Sequence, residues 1–437
     1  MKKWLLNSLN LHYAALYKKM MQQLSLIAFL ISVTLGFTQN PDSAKKYIQT
    51  LAGQSFYGRG YVNQGDKLAA DYIAAHYRKC GLVPINGFMD YFQKFKLDVN
   101  VFRENPTVKI HQLLQPGKDY IINPDSKPTK GKYNVKIIDA SNYLKAKETI
   151  DFEKHAILFD PKKIKEPAKN AEWNALVKQA KEKSPFTLLI NYKKLTWSVG
   201  RTANENPYVE VLKDSSFDAS KIKKVRFDIQ PEFIKNYESQ NVVGMVKGEI
   251  VDTFLIVCAH YDHLGMMGNA VFAGANDNAS GTALMMDLAA EYSKGPKPKY
   301  NIIFIAFGSE EAGLVGSKFF VENSPIPLKS VRFVFNIDLM GGGNNGATIV
   351  NATLHEKEFE RLEKTNTELN LLKQVKKRGK AANSDHYYFS EAGVPAFFMY
   401  AEGGVTAYHD VEDIPEKLPM ENYSKLYTLI KRFLDGF

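Results

Sequence analysis

The chain has 437 residues, 45% of them apolar and 12% aromatic, with 57 Lys and Arg against 47 Asp and Glu. That length and composition bury a large core, fit two structural units better than one, and exclude a disordered chain. The formal charge of +10 is mild and its lysines are scattered, which excludes a basic stripe of the kind that grips nucleic acid.

Lys18 and Lys19 precede an apolar run from Leu24 to Phe37, and the polar Thr38-Gln39-Asn40-Pro41 follows at once. The run is short for a membrane span, so the pattern predicts a secretory signal peptide over 1–38, with an uncleaved anchor as the competing reading. Met20 and Met21 compete with Met1 as the true start. The expected mature chain is exported, periplasmic or secreted, and without stable membrane insertion. Without Lys2, Lys3, Lys18 and Lys19, 53 basic residues face 47 acidic ones and the charge falls to +6. Cys80 and Cys258 sit far apart in apolar contexts, which leaves both a disulfide and two buried thiols open.

Residues 39–99 are predicted as the amino-terminal part of the main domain. A helix opens at Ser43–Ile48, a clearly amphipathic one covers Asp66–Tyr77, and Gly81 ends it. From 100 to 235 the pattern changes to short strand-like runs at Asn134–Ile138, Ala156–Phe159 and Thr187–Asn191, between Lys-rich and Pro-containing linkers. No recognisable chemistry is carried there, and the stretch is predicted to be an inserted β-rich subdomain. Over 236–437 strand and helix alternate. Strands are predicted at Asn241–Val246, Thr253–Ala259, Asn301–Phe307 and Val331–Ile337, with helices opening near Ala279, Gly313 and Glu356. This predicts an α/β fold with a mixed, mostly parallel central sheet and helices on both faces. Ligands in such sheets sit where strands end.

At those strand ends lie metal-type side chains. His260 leaves a buried strand and Asp262 follows, placed to accept the other ring N–H. Alone, such a pair is more often a structural histidine, and His263 is read as structural. Asp277 lies among small residues in Gly274-Ala275-Asn276-Asp277-Asn278-Ala279-Ser280-Gly281, where ions could approach, although the same residues form turns and helix caps. Adjacent Glu310 and Glu311 would repel unless a cation lay between them. With a metal, one of the two binds it and the other faces its water, whose pKa falls toward about 7 on zinc. Asp338 ends another strand, and Tyr408-His409-Asp410 supplies a second imidazole from a loop. Asp385 and His386, in Ser384-Asp385-His386, are expected behind the metal ligands or against substrate. Two divalent ions about 3.5–4 Å apart need a bridging carboxylate, and each needs an imidazole and a further carboxylate. The six side chains His260, Asp277, Glu310, Glu311, Asp338 and His409 supply that set with one Glu left over.

Taken jointly, His260-Tyr-Asp, Asn276-Asp-Asn-Ala-Ser-Gly, Ser309-Glu-Glu-Ala-Gly-Leu-Val-Gly-Ser, Asn336-Ile-Asp, Ser384-Asp-His and Tyr408-His resemble the segments of the di-zinc aminopeptidases of metallopeptidase family twenty-eight. The resemblance covers about 240–437 and the stretch from Gly58-Arg59-Gly60 to Pro84. It implies a zinc exopeptidase-like catalytic domain over 236–437 with two zinc ions. Asp277 would bridge them, His260 and Asp338 would hold one, and Glu311 and His409 the other. Glu310 would be the general base and Tyr408 the donor to the oxyanion. The peptide after the bridging Asp, here Asp277-Asn278, is often cis in that family. Some relatives carry a protease-associated insert at the place of 100–235. The activity implied is removal of residues from peptides with free amino termini, with both zinc ions holding the attacking hydroxide. Three rivals stand beside it: a glutaminyl cyclase-type acyltransferase with one zinc, a carboxypeptidase of the wider family, and a catalytically inactive binding ectodomain. Cyclases usually show tryptophan where this chain has Tyr408, and they lack the Ser280-Gly281 and Gly313–Ser317 pattern.

Overall fold

The structure is a computed structural model that describes residues 41–437 apart from 86, 89 and 214–217. The expected signal peptide and the alternative starts lie outside the described residues. No described helix is long and apolar enough to cross a membrane.

The chain opens with α1 (Pro41–Leu51) and α2 (Gly65–Cys80). In α2 the residues Ala69, Ala70, Ile73, Ala74 and Tyr77 are buried, a spacing that lays one apolar stripe along the helix. Gly81 closes it at φ 80°, its N–H donating to the carbonyls of Tyr77 and Arg78.

Strand β1 (Phe92–Val101) then leads into β2 (Thr107–Lys109), β3 (Tyr120–Ile122), β4 (Thr129–Ile138), β5 (Ala156–Phe159), β6 (Thr187–Asn191), β7 (Tyr208–Leu212) and β8 (Lys224–Ile229). Among the described residues β2 to β8 form a sheet of their own, in the order β2-β8-β4-β5-β6-β7-β3. Two helices that the sequence did not suggest, α3 (Tyr143–Thr149) and α4 (Ala171–Lys183), pack there. Only Trp173, Leu176 and Ala180 of α4 are buried, so its apolar stripe is thin beneath many lysines.

The main sheet resumes with β9 (Glu232–Val246), β10 (Ile250–His260), the short hairpin β11 (Gly265–Met267) and β12 (Ala270–Phe272), then α5 (Gly281–Lys294) and β13 (Tyr300–Phe307). It continues through α6 (Val315–Glu322), β14 (Val331–Asp338), β15 (Gly346–Val350), α7 (Glu356–Leu369), β16 (Val375–Lys377), α8 (His386–Glu391), β17 (Ala396–Glu402) and α9 (Tyr423–Asp435). The strand order is β1-β9-β13-β10-β14-β17-β15-β16. Strands β13, β10, β14 and β17 are parallel, and β1 and β9 are antiparallel to each other, with β9 antiparallel to β13. Central β13 is buried along its whole length and β10 from Phe254 onward, as parallel strands covered on both faces are. One core, with Met285, Phe335 and Phe433, lies on one side of the sheet, and another, with Ile256, Ile305 and Phe389, lies on the other.

Two features position the site. In the parallel register His260 pairs with Phe307 and Cys258 with Asn336, so β10, β13 and β14 end at the same edge. In addition, Val101 of β1 is the register partner of Glu232 of β9, and the second sheet hangs between those two residues. The core of that sheet extends to the β11–β12 hairpin: Phe102, Trp197 and Ile122 pack in one cluster with Leu264, Met267 and Phe272. Cys80 and Cys258 are both free.

Candidate metal centre

The common strand edge carries the ligand-type residues. His260 is the last residue of β10, Glu310 and Glu311 follow β13, and Asp338 is the last residue of β14. Asp277 lies in the turn Ala275–Ser280 that feeds α5, and the Asp277–Asn278 peptide is cis. The asparagines on either side tie this turn to the chain beyond β14. Asn276 Oδ1 accepts the N–H of Gly341, while Asn278 donates to the Ile337 carbonyl and accepts from Gly281 and Leu339. The segment is thus the turn and helix entry that its residue types suggest, and it brings Asp277 to the strand edge. Gly274, at φ 60°, has no room for a side chain, because a Cβ would stand 2.2 Å from the Asp277 carbonyl oxygen and 2.4 Å from the His263 ring.

Asp277 is shared between two imidazoles. Its Oδ1 is 3.3 Å from His260 Nε2 and its Oδ2 is 3.1 Å from His409 Nε2. Asp338 Oδ2 stands 3.4 Å from His260 Nε2, and Glu311 Oε2 stands 3.1 Å from His409 Nε2. The edge of a tetrahedron of N and O ligands around zinc is about 3.3 Å, so each triad has the spacing of donors to one ion. Ligand atoms of His260, Asp277 and Asp338 lie within 4.8 Å of one another, as do those of His260, Glu310 and Glu311, and those of His263, Asp277 and Glu311. The buried Oδ1 of Asp338 has no hydrogen-bond partner among the described residues, which is costly for a carboxylate unless a cation meets it. The donor set and its spacing fit a pair of divalent ions.

The electrostatics separate the two glutamates. Burial pushes Glu310 well up; His260 pulls against this, and Glu311, Asp385 and Asp338 add to the rise. Burial and Asp277 act on Glu311 in the same sense, but His409 and His263 outweigh them and hold it at about 2. For His409 burial favours the neutral ring, yet Glu311 and Asp277 push it up to about 11. Tyr408 stacks on His409, with ring centroids 4.0 Å apart. Its phenol is 42% exposed on a residue basis and is held protonated by partial burial and by the carboxylates of Asp277, Glu311, Asp338 and Glu310.

A family model described as peptidase family M28 matches residues 241–434. Residues 241–434 are thus similar to the members of peptidase family M28. Aminopeptidase YwaD of Bacillus subtilis is 32% identical over 211 residues, which is 45% of this chain and 44% of that protein. The chain thus spans less than half the length of this curated relative. Its fold is that of BSAP, a zinc aminopeptidase from Bacillus subtilis, with a TM-score of 0.67 at 21% identity over 91% of this chain and 94% of that one. The aminopeptidase from Aneurinibacillus sp. strain AM-1 superposes with a TM-score of 0.61 at 20% identity over 91% and 93%.

Around these ligand-type residues the structure corrects several expectations and adds residues. The carboxylate of Asp262 was expected to accept from His260, yet its Oδ1 is 3.9 Å from Nδ1, which faces the Asp262 backbone carbonyl at 3.3 Å. Asp262 instead accepts the N–H groups of Glu310 (3.0 Å) and Glu311 (3.2 Å), two donors left unpaired where β13 ends. His263, read as structural, sets its Nδ1 2.7 Å from Glu311 Oε1. Its place three residues past His260 was the available signal. Asp385 and His386 are fully buried, which removes direct substrate contact from their expected roles. Burial raises Asp385 to about 6 and lowers His386 to about 4. The neighbouring Ser384 hydroxyl accepts from Asn336 at 2.7 Å and donates to Asp338 Oδ2 at 3.4 Å.

Arg59 and Asp413 were not foreseen. Arg59 is fully buried and donates to five carbonyls, those of Leu51, Tyr261, Ala273, Gly274 and Asp277, so it ties the end of β10 to the Asp277 turn. Asp413 accepts the N–H groups of Asn276 and Asp277. Neither belongs to a local motif with chemical content, and both act on backbone groups far away in the sequence.

Proposed function

We propose that the chain is an exported zinc-dependent aminopeptidase that releases residues from peptides with free amino termini. The observation that carries this reading is the division of the Asp277 carboxylate between His260 and His409, each completed by a further carboxylate. Asp277 would bridge two zinc ions, with His260 and Asp338 on one side and His409 and Glu311 on the other. His263, already hydrogen-bonded to Glu311, would orient that ligand. Aminopeptidase YwaD and the zinc aminopeptidase BSAP support the same choice.

Zinc bound there supplies Lewis acidity to the scissile carbonyl and acidifies water at neutral pH. Glu310, whose proton affinity is raised, takes the proton of the attacking water and returns it to the leaving amine. Glu311 stays anionic as a ligand. The protonated phenol of Tyr408 donates to the oxygen that develops negative charge. The export part of the proposal rests on the apolar run at 24–37, and residues 100–235 are read as an insert in the catalytic domain.

Elemental analysis with a substrate panel tests the reading. Two zinc ions per chain, hydrolysis of an unblocked aminoacyl anilide, and no action on its amino-blocked form are expected. One zinc together with ring closure of an amino-terminal glutamine would replace the peptidase by a cyclase.

A further inference from the structure

The region 100–235 holds none of the proposed ligands, yet one of its loops reaches the candidate metal centre. We infer that Trp197 is a positioning residue that sets the orientation of His409, so that the inserted sheet supports one of the two ion positions and not the other. The inference rests on the metal-centre reading above.

Trp197 and His409 exchange two hydrogen bonds. The Trp197 N–H donates to the His409 carbonyl at 2.9 Å, and His409 Nδ1 donates to the Trp197 carbonyl at 3.1 Å. A carbonyl can only accept, so the proton is fixed on Nδ1 and Nε2 is directed at Asp277 and Glu311. The loop carrying His409 needs such support, because His409 lies at φ 54°, a conformation that non-glycine residues seldom adopt unaided. Trp197 is itself anchored away from the centre. Its indole N–H donates to the Ile122 carbonyl at 2.9 Å, and its ring packs 4.6 Å from Phe272 and 6.0 Å from Phe102.

The neighbours of Trp197 reach the same side of the site. Lys194 Nζ donates to the Tyr408 carbonyl at 3.1 Å, and Arg201 Nη1 donates to the carbonyl of Ala312, next to Glu311, at 2.9 Å. Among the described residues no hydrogen bond from 194–201 goes to His260 or Asp338. Loosening this segment should therefore release the ion held by His409 and Glu311 while sparing the one held by His260 and Asp338.

The test measures zinc affinity by chelator competition, together with the visible absorption of the cobalt-loaded protein, both independent of turnover. Trp197→Ala removes the ring that anchors the segment. The ion that is lost in His409→Asn should bind at least about tenfold more weakly, and the other should stay within about threefold of wild type. Trp197→Phe, which keeps the aromatic packing, should restore both to within about threefold. Trp197→Ala in a His409→Asn background should bind the second ion no more weakly than His409→Asn alone. Trp197→Leu carries the same expectation as Trp197→Ala and replaces it if that variant does not fold. Retention of both ions at wild-type affinity, or equal weakening of both, overturns the inference. A wild-type chain that holds fewer than two ions overturns the proposed function instead, and that measurement comes first.

Discussion

Asp413 grips the backbone of Asp277 from behind: its Oδ2 accepts the Asp277 N–H at 3.0 Å, and its Oδ1 accepts that of Asn276 at 2.8 Å. Asp413→Asn keeps the shape but turns one acceptor into a donor facing an N–H. Leaving one buried N–H unsatisfied should cost about 1–3 kcal/mol, and the Asp277 turn should loosen. Chemical denaturation and zinc titration of the variant check this: lower stability and weaker binding of both ions are expected, since the proposed bridge at Asp277 would serve both.

Glu310→Gln should keep the bound metal and lower turnover by at least ~10²-fold, because an amide cannot accept the proton. Glu311→Gln should release one ion. Metal content and turnover of the two variants, measured side by side, distinguish the roles, and the reverse pattern would mean that they are exchanged.

Tyr408→Phe should reduce kcat by roughly 10- to 10³-fold with little change in KM, since the phenol serves an oxygen that is charged only in the transition state. Steady-state kinetics on an aminoacyl anilide give the split. A fully active variant removes Tyr408 from the mechanism.

The pH dependence of stability should carry a contribution from Asp66, which accepts from the hydroxyls of Tyr237 and Ser239 and is pushed by burial from 3.8 to about 6. Its folded form holds a proton more tightly than the unfolded chain does. The stabilising contribution is thus complete below about pH 4 and is lost as the pH rises through about 6, by roughly 2–3 kcal/mol. Denaturation curves at pH 4 and pH 7 should show this difference reduced in Asp66→Asn relative to wild type.

The strand runs at 253–259, 301–307 and 331–337 were legible because buried parallel strands are continuous apolar segments, and the ligand-type residues stand directly past them. What eluded the sequence is contact between backbone and distant side chain. The five carbonyls of Arg59, the two N–H groups held by Asp413, and the true partners of Asp262 depend on atoms that every residue possesses, so no residue pattern announces them. Helix α9 was not among the expected elements because it follows the last chemical motif, although Leu426, Leu429, Ile430 and Phe433 recur at helical spacing and bury one face of it.

The pairing of Val101 with Glu232 means that the second sheet leaves and re-enters the main one at adjacent points. In ladder terms it is a hairpin turn that has grown into a folded body with its own core, which bears the entropy of ordering it. Evolution can lengthen, shorten or exchange such a turn without shifting the strand ends that present His260 and Asp338. Yet the same turn braces His409. A stretch that could be lengthened or exchanged without moving those strand ends is thus fastened to the loop that carries His409, and change in it would be felt at the candidate metal centre with every ligand-type residue in place.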